Sequence, residues 1–521
     1  MPIDLLTPSG VTLALLPAVL LTVWSMVVLL VVAWRHGSEE DSRLAGWLSV
    51  VGVIGAAAAT LWLWQSGAKS TGQPHMVYLD AYRFVSELLI LFIAGATCLL
   101  SLRFLGKQRL LAPEYYVLVL FAAIGMQLMV AAADFILLFI GLEIMSISVY
   151  VLAGFDRFRR SSAEAALKYF LVGAFASAFL LYGIALVYGA TGQTNYVLIG
   201  AQFAGSDTSL LARMGLALLL VGFGFKAAAV PFHMWAPDVY DGAPTPITGF
   251  MATAVKTAAF VALVRVLADA FPAFTGLWQP IVAVLAVASM IVGNVVALAQ
   301  GSLKRMLAYS SIAHAGYLLV GVWTATDLGR AAVLLYLIAY SITSLAAFGI
   351  ITAVERVGSR TVMLEDVEGF FRVRPWGALS MGVCLLSLLG FPGTFGFIGK
   401  WYLMSAAIDR NQLLLAVVMG IGSLLSLGYY LPVVMAMTMK PERTPDAHRQ
   451  VLFSRAAKAI VAAAVITNLL FGVWPRKVVD LARSAASQMS APTAPRPAGD
   501  RLTSRRASSG SMTYAVSSTP S

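Results

Sequence analysis

Charged side chains and cysteines are scarce in this sequence. Asp, Glu, Lys and Arg make up 12% of its 521 residues, against about 25% in a typical soluble domain. Hydrophobic residues make up 59% and occur in long runs, which places the chain among polytopic membrane proteins. The two cysteines, Cys98 and Cys384, lie in separate apolar runs. Because an iron–sulfur cluster usually needs four cysteine ligands, we expect no such cluster in this chain.

Sequence signatures of nucleotide and zinc binding are also missing. The segment GFGFK at 222–226 lacks the spacing of a phosphate-binding loop, and it follows a membrane helix instead of a strand. The net charge of +11 is spread over many short loops and forms no single basic face. We therefore expect neither nucleotide hydrolysis nor nucleic-acid binding, and we interpret the basic residues as signals of membrane topology.

Fourteen apolar runs are long enough to cross a bilayer as helices. Most have roughly 18 to 26 residues, and about 20 are enough for a hydrocarbon core about 30 Å thick. The sequence therefore predicts an all-α polytopic fold. Numbered in chain order as spans 1 to 14, the runs lie near 11–34, 44–64, 81–104, 113–132, 134–154, 163–189, 209–235, 246–270, 278–299, 303–323, 329–353, 376–407, 412–438 and 452–475.

The distribution of Lys and Arg predicts how these spans are oriented. Most basic loop residues follow odd-numbered spans, for example Arg157, Arg159 and Arg160 after span 5. The positive-inside rule therefore places those loops in the cytoplasm and both termini outside it. Span 1 exceeds the apolar core of a signal peptide and no cleavage site follows it, so we expect it to be retained. The tail from about Gln488 is rich in Ser, Pro, Ala and Arg, which predicts disorder.

Spans 7 and 12 contain residues that interrupt helices. Span 7 contains Pro231, and span 12 contains LLGFPGTFGFIGKWYL, with Pro392 among four glycines. Proline removes a backbone donor, so the freed backbone groups must be satisfied by protein or by water in a cavity. Two broken spans five positions apart predict two five-helix repeats, spans 4–8 and 9–13, the second inverted as in many transporters. The predicted divisions are an N-terminal part at 1–110, a first repeat at 111–275, a second repeat at 276–440, span 14 with its flanks at 441–487, and a polar tail at 488–521.

A few ionisable residues lie well inside the predicted spans, where charge is costly. A lysine at the bilayer centre costs roughly 2.5 to 3.5 kcal/mol on insertion scales, so packing alone does not explain the set. Burial disfavours the charged form of a lysine and a nearby carboxylate favours it. Moving that carboxylate would therefore switch a lysine between holding and releasing a proton. The candidate proton-transfer residues are Glu143, Lys168, Lys226, Lys256, His314 and Lys400.

Each candidate also has a structural interpretation. Lys168 is near the start of its span and could extend its amine to the cytoplasmic interface, whereas Lys256 and Lys400 lie deeper. Glu143 could be an ion-pair partner that takes no part in proton transfer. His314 could be a packed residue with satisfied hydrogen bonds.

Three polar residues, His233, Asp238 and Asp241, follow the break in span 7. His233 could be an ordinary loop residue near the cytoplasmic face. The topology places the two carboxylates at the cytoplasmic mouth, where we expect them to shape the entrance or collect protons rather than to pair with Lys226.

Three long motifs resemble one family of membrane proteins. VGFGFKAAAVPFHMWAPDVYDGAPTPITGFMATAVKTAAF is similar to the central motif of the antiporter-like proton-translocating subunits of respiratory complex I and of Mrp-type cation/proton antiporters. GSLKRMLAYSSIAHAGYLLVG and LLSLLGFPGTFGFIGKWYL are similar to further motifs of the same family. The resemblance covers roughly residues 80 to 435 and is specific, because several long motifs occur in the same order.

The resemblance implies roles for the buried charged residues. Glu143 corresponds to the span-5 glutamate that pairs with Lys226 in the family. Lys256 matches the connecting lysine of span 8, and Lys400 the terminal lysine of span 12. Lys168 matches a lysine found in span 6 of one subunit type. Together these positions imply a horizontal polar axis at mid-membrane.

The resemblance also implies which parts of the chemistry lie elsewhere. His314 falls in a polar segment thought to bridge two half-channels. NADH, FMN, iron–sulfur clusters and the quinone site belong to other subunits, so this chain is expected to bind no cofactor and no metal. Its partners would be neighbouring antiporter-like and small membrane subunits, the lipid bilayer, and the water and protons it conducts. Its location would be the cell inner, or plasma, membrane.

The sequence thus leads to one main hypothesis and two rivals. In the main hypothesis, electron transfer from NADH to quinone in other subunits alters the Glu143–Lys226 pairing. Charge then passes through Lys256 and His314 to Lys400, which releases a proton outside. The rivals are a subunit of an Mrp-type cation/proton antiporter, with no redox partner, and a structural scaffold in which the charges only join helices.

Overall fold

The fold of the chain, given by a computed structural model, is almost entirely helical. The structure describes residues 1–35, 39–71, 75–110, 112–204, 209–356, 361–442, 451 and 453–489. Within these ranges, thirteen helices are long and apolar enough to cross a membrane. Span 12 is present as two shorter helices, so every predicted span has a counterpart. The all-α polytopic fold is confirmed.

The spans have these bounds: Leu16–Arg35, Glu39–Gln65, Ala81–Gln108, Glu114–Ala131, Phe135–Ala153, Arg160–Thr191, Leu210–Ala227, Thr245–Ala270, Thr275–Ala297, Leu303–Trp323, Asp327–Val354, Pro375–Leu389 with Phe395–Asp409, Leu413–Thr438 and Arg455–Val473. The shorter helices are Pro8–Ala14, Tyr196–Ala204, Ala236–Gly242, Phe370–Val373 and Arg476–Met489, with 3-10 turns at Pro272–Phe274 and Leu364–Val367. Strands Pro2–Asp4 and Lys69–Thr71 pair in parallel.

Polar N-caps fix where several spans begin. Asp134 accepts a hydrogen bond from the Ile136 amide at 2.8 Å and starts span 5. Ser302 caps span 10 in the same way, accepting from the Arg305 amide at 3.3 Å. A side-chain oxygen satisfies one of the amides that the first turn of a helix leaves unpaired. Asp134 therefore separates spans 4 and 5.

Span 7 is broken as predicted, but the break begins before its proline. The helix ends at Ala227, and Ala228 takes a left-handed conformation with φ of 56°. The Ala229 amide bonds the Gly224 carbonyl at 2.8 Å, and the Val230 amide bonds Ser289 Oγ of span 9 at 2.9 Å. Protein groups thus satisfy the backbone donors that the break frees, as the low dielectric of a membrane requires.

Span 12 is broken at Gly390, which has φ of 85°. The Gly390 amide bonds the Leu386 and Ser387 carbonyls, and the Phe391 amide bonds the Leu386 carbonyl at 2.9 Å. These bonds close the first half-helix in the way glycine commonly ends helices. The two breaks lie five spans apart, in agreement with the predicted layout. The symmetry of the two repeats and the domain boundaries stay predictions.

Span 8 is the most enclosed span and departs from regular α-helix. Its apolar membrane-crossing stretch is entirely buried inside the protein, whereas only 28% of the corresponding stretch of span 14 is buried. Two π-helical segments, Met251–Val255 and Val266–Ala270, flank its α-helical middle. The sequence predicted an uninterrupted helix here. Such π segments inside α-helices often occur at functional sites, and Lys256 directly follows the first one.

The C-terminal helix Arg476–Met489 was not predicted. It buries Val478, Ala482 and Ala485 on one face, a spacing of four and three residues that is typical of an amphipathic helix. Gln488 Oε1 accepts the Ala81 amide at the start of span 3 at 3.0 Å. The predicted start of the tail therefore falls inside this helix, and residues 490–521 lie outside the described residues.

Candidate functional site

Lys226 lies in the last turn of the first half of span 7 and is 3% exposed. Its Nζ donates to Ser146 Oγ of span 5 at 2.6 Å and to the Tyr150 hydroxyl at 3.4 Å. Helix C-termini carry partial negative charge, which favours a cation at this position. The break in span 7 and two hydroxyl groups of span 5 therefore form the immediate surroundings of Lys226.

Glu143 lies on span 5, one turn before Ser146, and does not bond Lys226 directly. No nitrogen–oxygen distance within 4 Å joins these two side chains, both of which the structure describes. Among the described residues, Glu143 Oε1 is buried and has no hydrogen-bond partner. Glu143 therefore lies on the same helix as Ser146 and Tyr150, the two residues that bond Lys226. The pairing itself stays a prediction.

Lys256 is 2% exposed and contacts span 10. Its Nζ donates to the Ser311 carbonyl at 2.5 Å and lies 5.6 Å from the centre of the Tyr340 ring. A neutral carbonyl and an aromatic face both attract an ammonium group without neutralising it. Lys256 is thus a buried amine with one strong acceptor and no carboxylate within 4 Å in the described chain.

His314 lies between two tyrosine hydroxyls and is 1% exposed. Its Nδ1 shares a hydrogen bond with the Tyr336 hydroxyl of span 11, and its Nε2 lies 3.2 Å from the Tyr430 hydroxyl of span 13. Tyr430 also shares a hydrogen bond with Ser310. In neutral histidine one nitrogen donates and the other accepts, while a hydroxyl does either. The imidazole can therefore exchange tautomers and keep both bonds, which suits a proton relay.

Lys400 lies in the second half of span 12 and reaches back across the break. Its Nζ donates to the Leu389 carbonyl at 2.9 Å and to Ser423 Oγ at 3.0 Å. Leu389 is the last residue of the first half-helix. It also lies 4.7 Å from the centre of the Tyr317 ring. The break supplies a carbonyl that no helical amide occupies, and the lysine bonds it.

Span 10 brings three of the candidates together. Ser311, which bonds Lys256, precedes His314 by one turn, and the Tyr317 ring lies 5.4 Å from the imidazole and directly beside Lys400. Span 10 therefore carries His314 and contacts Lys256 through the Ser311 carbonyl and Lys400 through the Tyr317 ring. No hydrogen bond joins Lys226 to Lys256 in the described part of the chain.

Lys168 lies apart from this set. Its side chain is 44% exposed and pairs with Glu164 and Asp238, each at 2.7 Å. Asp238 also pairs with Arg305 at 2.9 Å. Burial alone would raise the pKa of the Asp238 carboxyl, but the hydrogen bond and charge of Lys168, together with Arg305, hold that pKa below its ordinary value. Asp238 thus joins spans 6 and 10 and does not contact Lys226, as the sequence analysis expected.

Several functional neighbours were missed by sequence reasoning. Ser146, Tyr150, Tyr336 and Tyr430 supply the hydroxyl groups around Lys226 and His314. Hydroxyl residues are frequent in apolar helices, so their type gave no signal. Tyr430 is more than a hundred residues from His314 in sequence, which no local pattern connects.

A buried ion pair in span 3 was also not predicted from the sequence. Arg83 and Glu87 are each 1% exposed and form a bond of 2.8 Å. Their spacing of four residues is the one that places oppositely charged side chains together on a helix, so the pair was detectable. Arg83 lies in the first turn of span 3.

A metal site usually needs several ligating side chains close together. Among the described residues, no cluster of three or more His, Cys, Asp or Glu side chains could hold a metal ion. Cys98 and Cys384 are buried and unpaired with each other.

Comparison with known proteins finds relatives over nearly the whole chain. Residues 132–426 match the family described as NADH:quinone oxidoreductase/Mrp antiporter, TM. The chain is 44% identical to NADH-quinone oxidoreductase subunit N 2 of Roseiflexus castenholzii, over 88% of this chain and 93% of that protein. It is 41% identical to NADH-quinone oxidoreductase subunit N of Gemmatimonas aurantiaca, over 95% of this chain and 97% of that protein.

Solved structures share the fold. A chain of respiratory complex I from Thermus thermophilus with bound Aureothin is 37% identical, with a TM-score of 0.75 over 90% of this chain and 99% of that one. A chain of the Mrp complex from Dietzia sp. DQ12-45-1b is 22% identical, with a TM-score of 0.80 over 92% of this chain and 98% of that one. At that identity the second match is a similarity of fold alone.

Proposed function

The chain belongs to the NADH:quinone oxidoreductase/Mrp antiporter membrane family, and from this premise we propose that it is a proton-translocating, subunit N-type component of the membrane arm of NADH–quinone oxidoreductase. Its partners are other subunits of respiratory complex I, as in the related structure. Its enzymatic role is therefore that of a translocase subunit within an oxidoreductase complex.

One observation carries this proposal. Lys256, His314 and Lys400 are each at most 5% exposed. His314 lies on span 10, and the two lysines contact the Ser311 carbonyl and the Tyr317 ring of that span. Buried lysines that lack carboxylate partners, such as Lys256 and Lys400, are costly as structural elements. The same surroundings suit groups that gain and lose protons, because the neutral form is tolerated.

The proposed sequence of events follows this arrangement. Electron transfer in other subunits changes the surroundings of Glu143, and Lys226 exchanges its acceptor. The altered charge at Lys226 favours proton movement from Lys256 through His314 to Lys400, which releases a proton outside. Water is expected to connect Lys226 with Lys256, since no side-chain hydrogen bond joins them among the described residues.

We further propose that this chain holds no redox centre of its own. NADH, FMN, iron–sulfur clusters and quinone would be bound by partner subunits, which agrees with the presence of only two cysteines in the sequence. The chain is a membrane protein, and we place it in the cell inner membrane with both termini outside the cytoplasm.

Replacement of Lys226 or Glu143 by alanine tests the proposal. The purified complex carrying either variant is reconstituted in vesicles, and NADH-driven proton uptake is measured together with complex assembly. We expect proton uptake to fall roughly tenfold or more, because a positioned acid–base group contributes about 10² to 10⁴ in rate. Lys458→Ala is the matched control, since Lys458 is an exposed lysine in the first turn of span 14.

Three outcomes would contradict the proposal. Wild-type proton uptake by both variants would remove the buried axis from the mechanism. Loss of assembly before any loss of uptake would favour the scaffold. Sodium–proton exchange without NADH, in a complex that lacks redox subunits, would favour an Mrp-type antiporter.

A further inference from the structure

We infer that Ser146 is the resting acceptor of the Lys226 amine and that it keeps Lys226 away from Glu143 between transfer events. The inference rests on the proposed function, in which Lys226 exchanges acceptors, and it assigns a residue to the position that Lys226 leaves. Ser146 would be a positioning residue, because it acts through the lysine and the glutamate.

The direction of the hydrogen bonds supports this assignment. Ser146 is fully buried, and its Oγ donates to the Leu142 carbonyl at 2.5 Å. With its proton engaged there, the hydroxyl presents lone pairs to Lys226 Nζ at 2.6 Å. The Tyr150 hydroxyl, at 3.4 Å, is at the limit of hydrogen-bond distance. Ser146 is therefore the main acceptor.

The location of Glu143 makes the acceptor exchangeable. Glu143 and Ser146 are three residues apart on one helix, and residues at this spacing project from the same face. Glu143 Oε1 is buried without a hydrogen-bond partner among the described residues. A side-chain rotation of Lys226 would thus carry its amine from a neutral hydroxyl to a carboxylate, with no movement of the helix backbone.

Ser146→Ala removes the acceptor and nearly preserves the side-chain volume. Hydrogen bonds to charged groups are strong enough that losing one shifts such a partition by roughly tenfold, so Lys226 should favour Glu143. We expect NADH-driven proton uptake by the reconstituted complex to fall several-fold with assembly intact. Ser146→Thr keeps the hydroxyl and should remain within about twofold of the wild type.

Ser148→Ala is the matched control. Ser148 lies on the same helix, is 5% exposed, and donates to the Ile144 carbonyl at 2.7 Å, as Ser146 does to Leu142. It does not contact Lys226. If the alanine variant at 146 does not assemble, Ser146→Cys keeps a similar shape with a much weaker acceptor and should show the same loss of uptake.

A second substitution separates positioning from a merely structural role. Glu143→Asp shortens the carboxylate side chain and should weaken its hold on Lys226. Combined with Ser146→Ala, it should restore part of the lost proton uptake, which a packing defect at Ser146 would not allow. Equal uptake by the Ser146→Ala and Ser148→Ala variants, or a double variant no faster than Ser146→Ala alone, would overturn the inference. If Lys226→Ala also pumped at the wild-type rate, both the role of Ser146 and the proposed function would be contradicted. If Lys226→Ala did not pump, only the role of Ser146 would be contradicted.

Discussion

Lys226 and Lys400 lie at two helix breaks of similar design and have different partners. Both amines lie near the C-terminal end of a half-helix, where the helix dipole favours positive charge. Lys226 is in the last turn before its break, whereas Lys400 follows its break and bonds the Leu389 carbonyl on the other side. Both lysines are nearly fully buried.

The difference lies in what could replace the present acceptor. Span 5 offers Lys226 two hydroxyls and, one turn away, Glu143. Lys400 bonds a backbone carbonyl and Ser423, and no carboxylate lies within 4 Å of it in the described residues. A backbone carbonyl neither titrates nor moves with a side-chain rotation. In the proposed mechanism, Lys226 would therefore be the switchable end of the axis and Lys400 its fixed end.

Of the substitutions that test this comparison, the removal of Lys400 should have the largest effect on proton uptake. Lys400→Ala leaves the Leu389 carbonyl without its partner and removes the proposed last proton carrier. We expect NADH-driven proton uptake by the reconstituted complex to fall roughly tenfold or more, as for loss of a positioned acid–base group. The Lys226 pocket should be unaffected, so assembly should remain normal.

Lys440→Ala is the control for this experiment. Lys440 lies at the end of span 13, is 52% exposed and pairs with Glu368 at 2.7 Å. Its loss should leave proton uptake close to the wild-type rate. If the two variants pumped equally well, Lys400 would not be the terminal carrier and the contrast with Lys226 would have no functional meaning.

The two breaks also differ in backbone strain, which predicts opposite effects of two small substitutions. Gly390→Ala places a Cβ at φ of 85°, 2.9 Å from Lys400 Cδ, and should destabilise the protein by about 1–3 kcal/mol. Ala228→Gly relieves a left-handed alanine at φ of 56° and should stabilise by up to about 1 kcal/mol. The midpoint temperature of thermal unfolding of the purified complex measures both effects. Shifts of the same sign would contradict this difference in backbone strain.

Much of the fold was predictable because apolar run length and helix-breaking residues are local properties. Spans 1 to 14 followed from run length, and the two breaks from Pro231 and from the glycines around Pro392. The end of span 7 at Ala227 was not predictable, since alanine normally continues a helix. The π segments of span 8 have no recognised sequence signal either.

The site was predictable in its charges and not in its contacts. Charge at membrane depth is rare enough to select Lys226, Lys256 and Lys400 from the sequence alone. Their acceptors are hydroxyls and backbone carbonyls, which occur throughout the chain. Lys168 has the same charge, but its position near the helix start let it pair at the surface with Asp238. The depth of each lysine could thus be predicted from the sequence, whereas its partners required the tertiary structure.

The smallest expected effect concerns Asp238, which joins Lys168 to Arg305 outside the two break sites. Asp238→Asn should lower stability by about 0.5 kcal/mol, the scale of partly exposed ion pairs. Because the pKa of Asp238 is held below its ordinary value of 3.8, this contribution is complete above that pH and is lost only as the pH falls further. The difference in midpoint temperature between wild type and variant should therefore be constant from about pH 8 to pH 5.

The control Asp480→Asn, at a carboxylate 64% exposed and 3.8 Å from Arg476, should show almost no difference. If the difference between wild type and Asp238→Asn disappeared by pH 6, the Asp238 carboxyl would take up a proton near neutral pH. Asp238 would then belong with the proposed proton-transfer residues and not with the structural ion pairs.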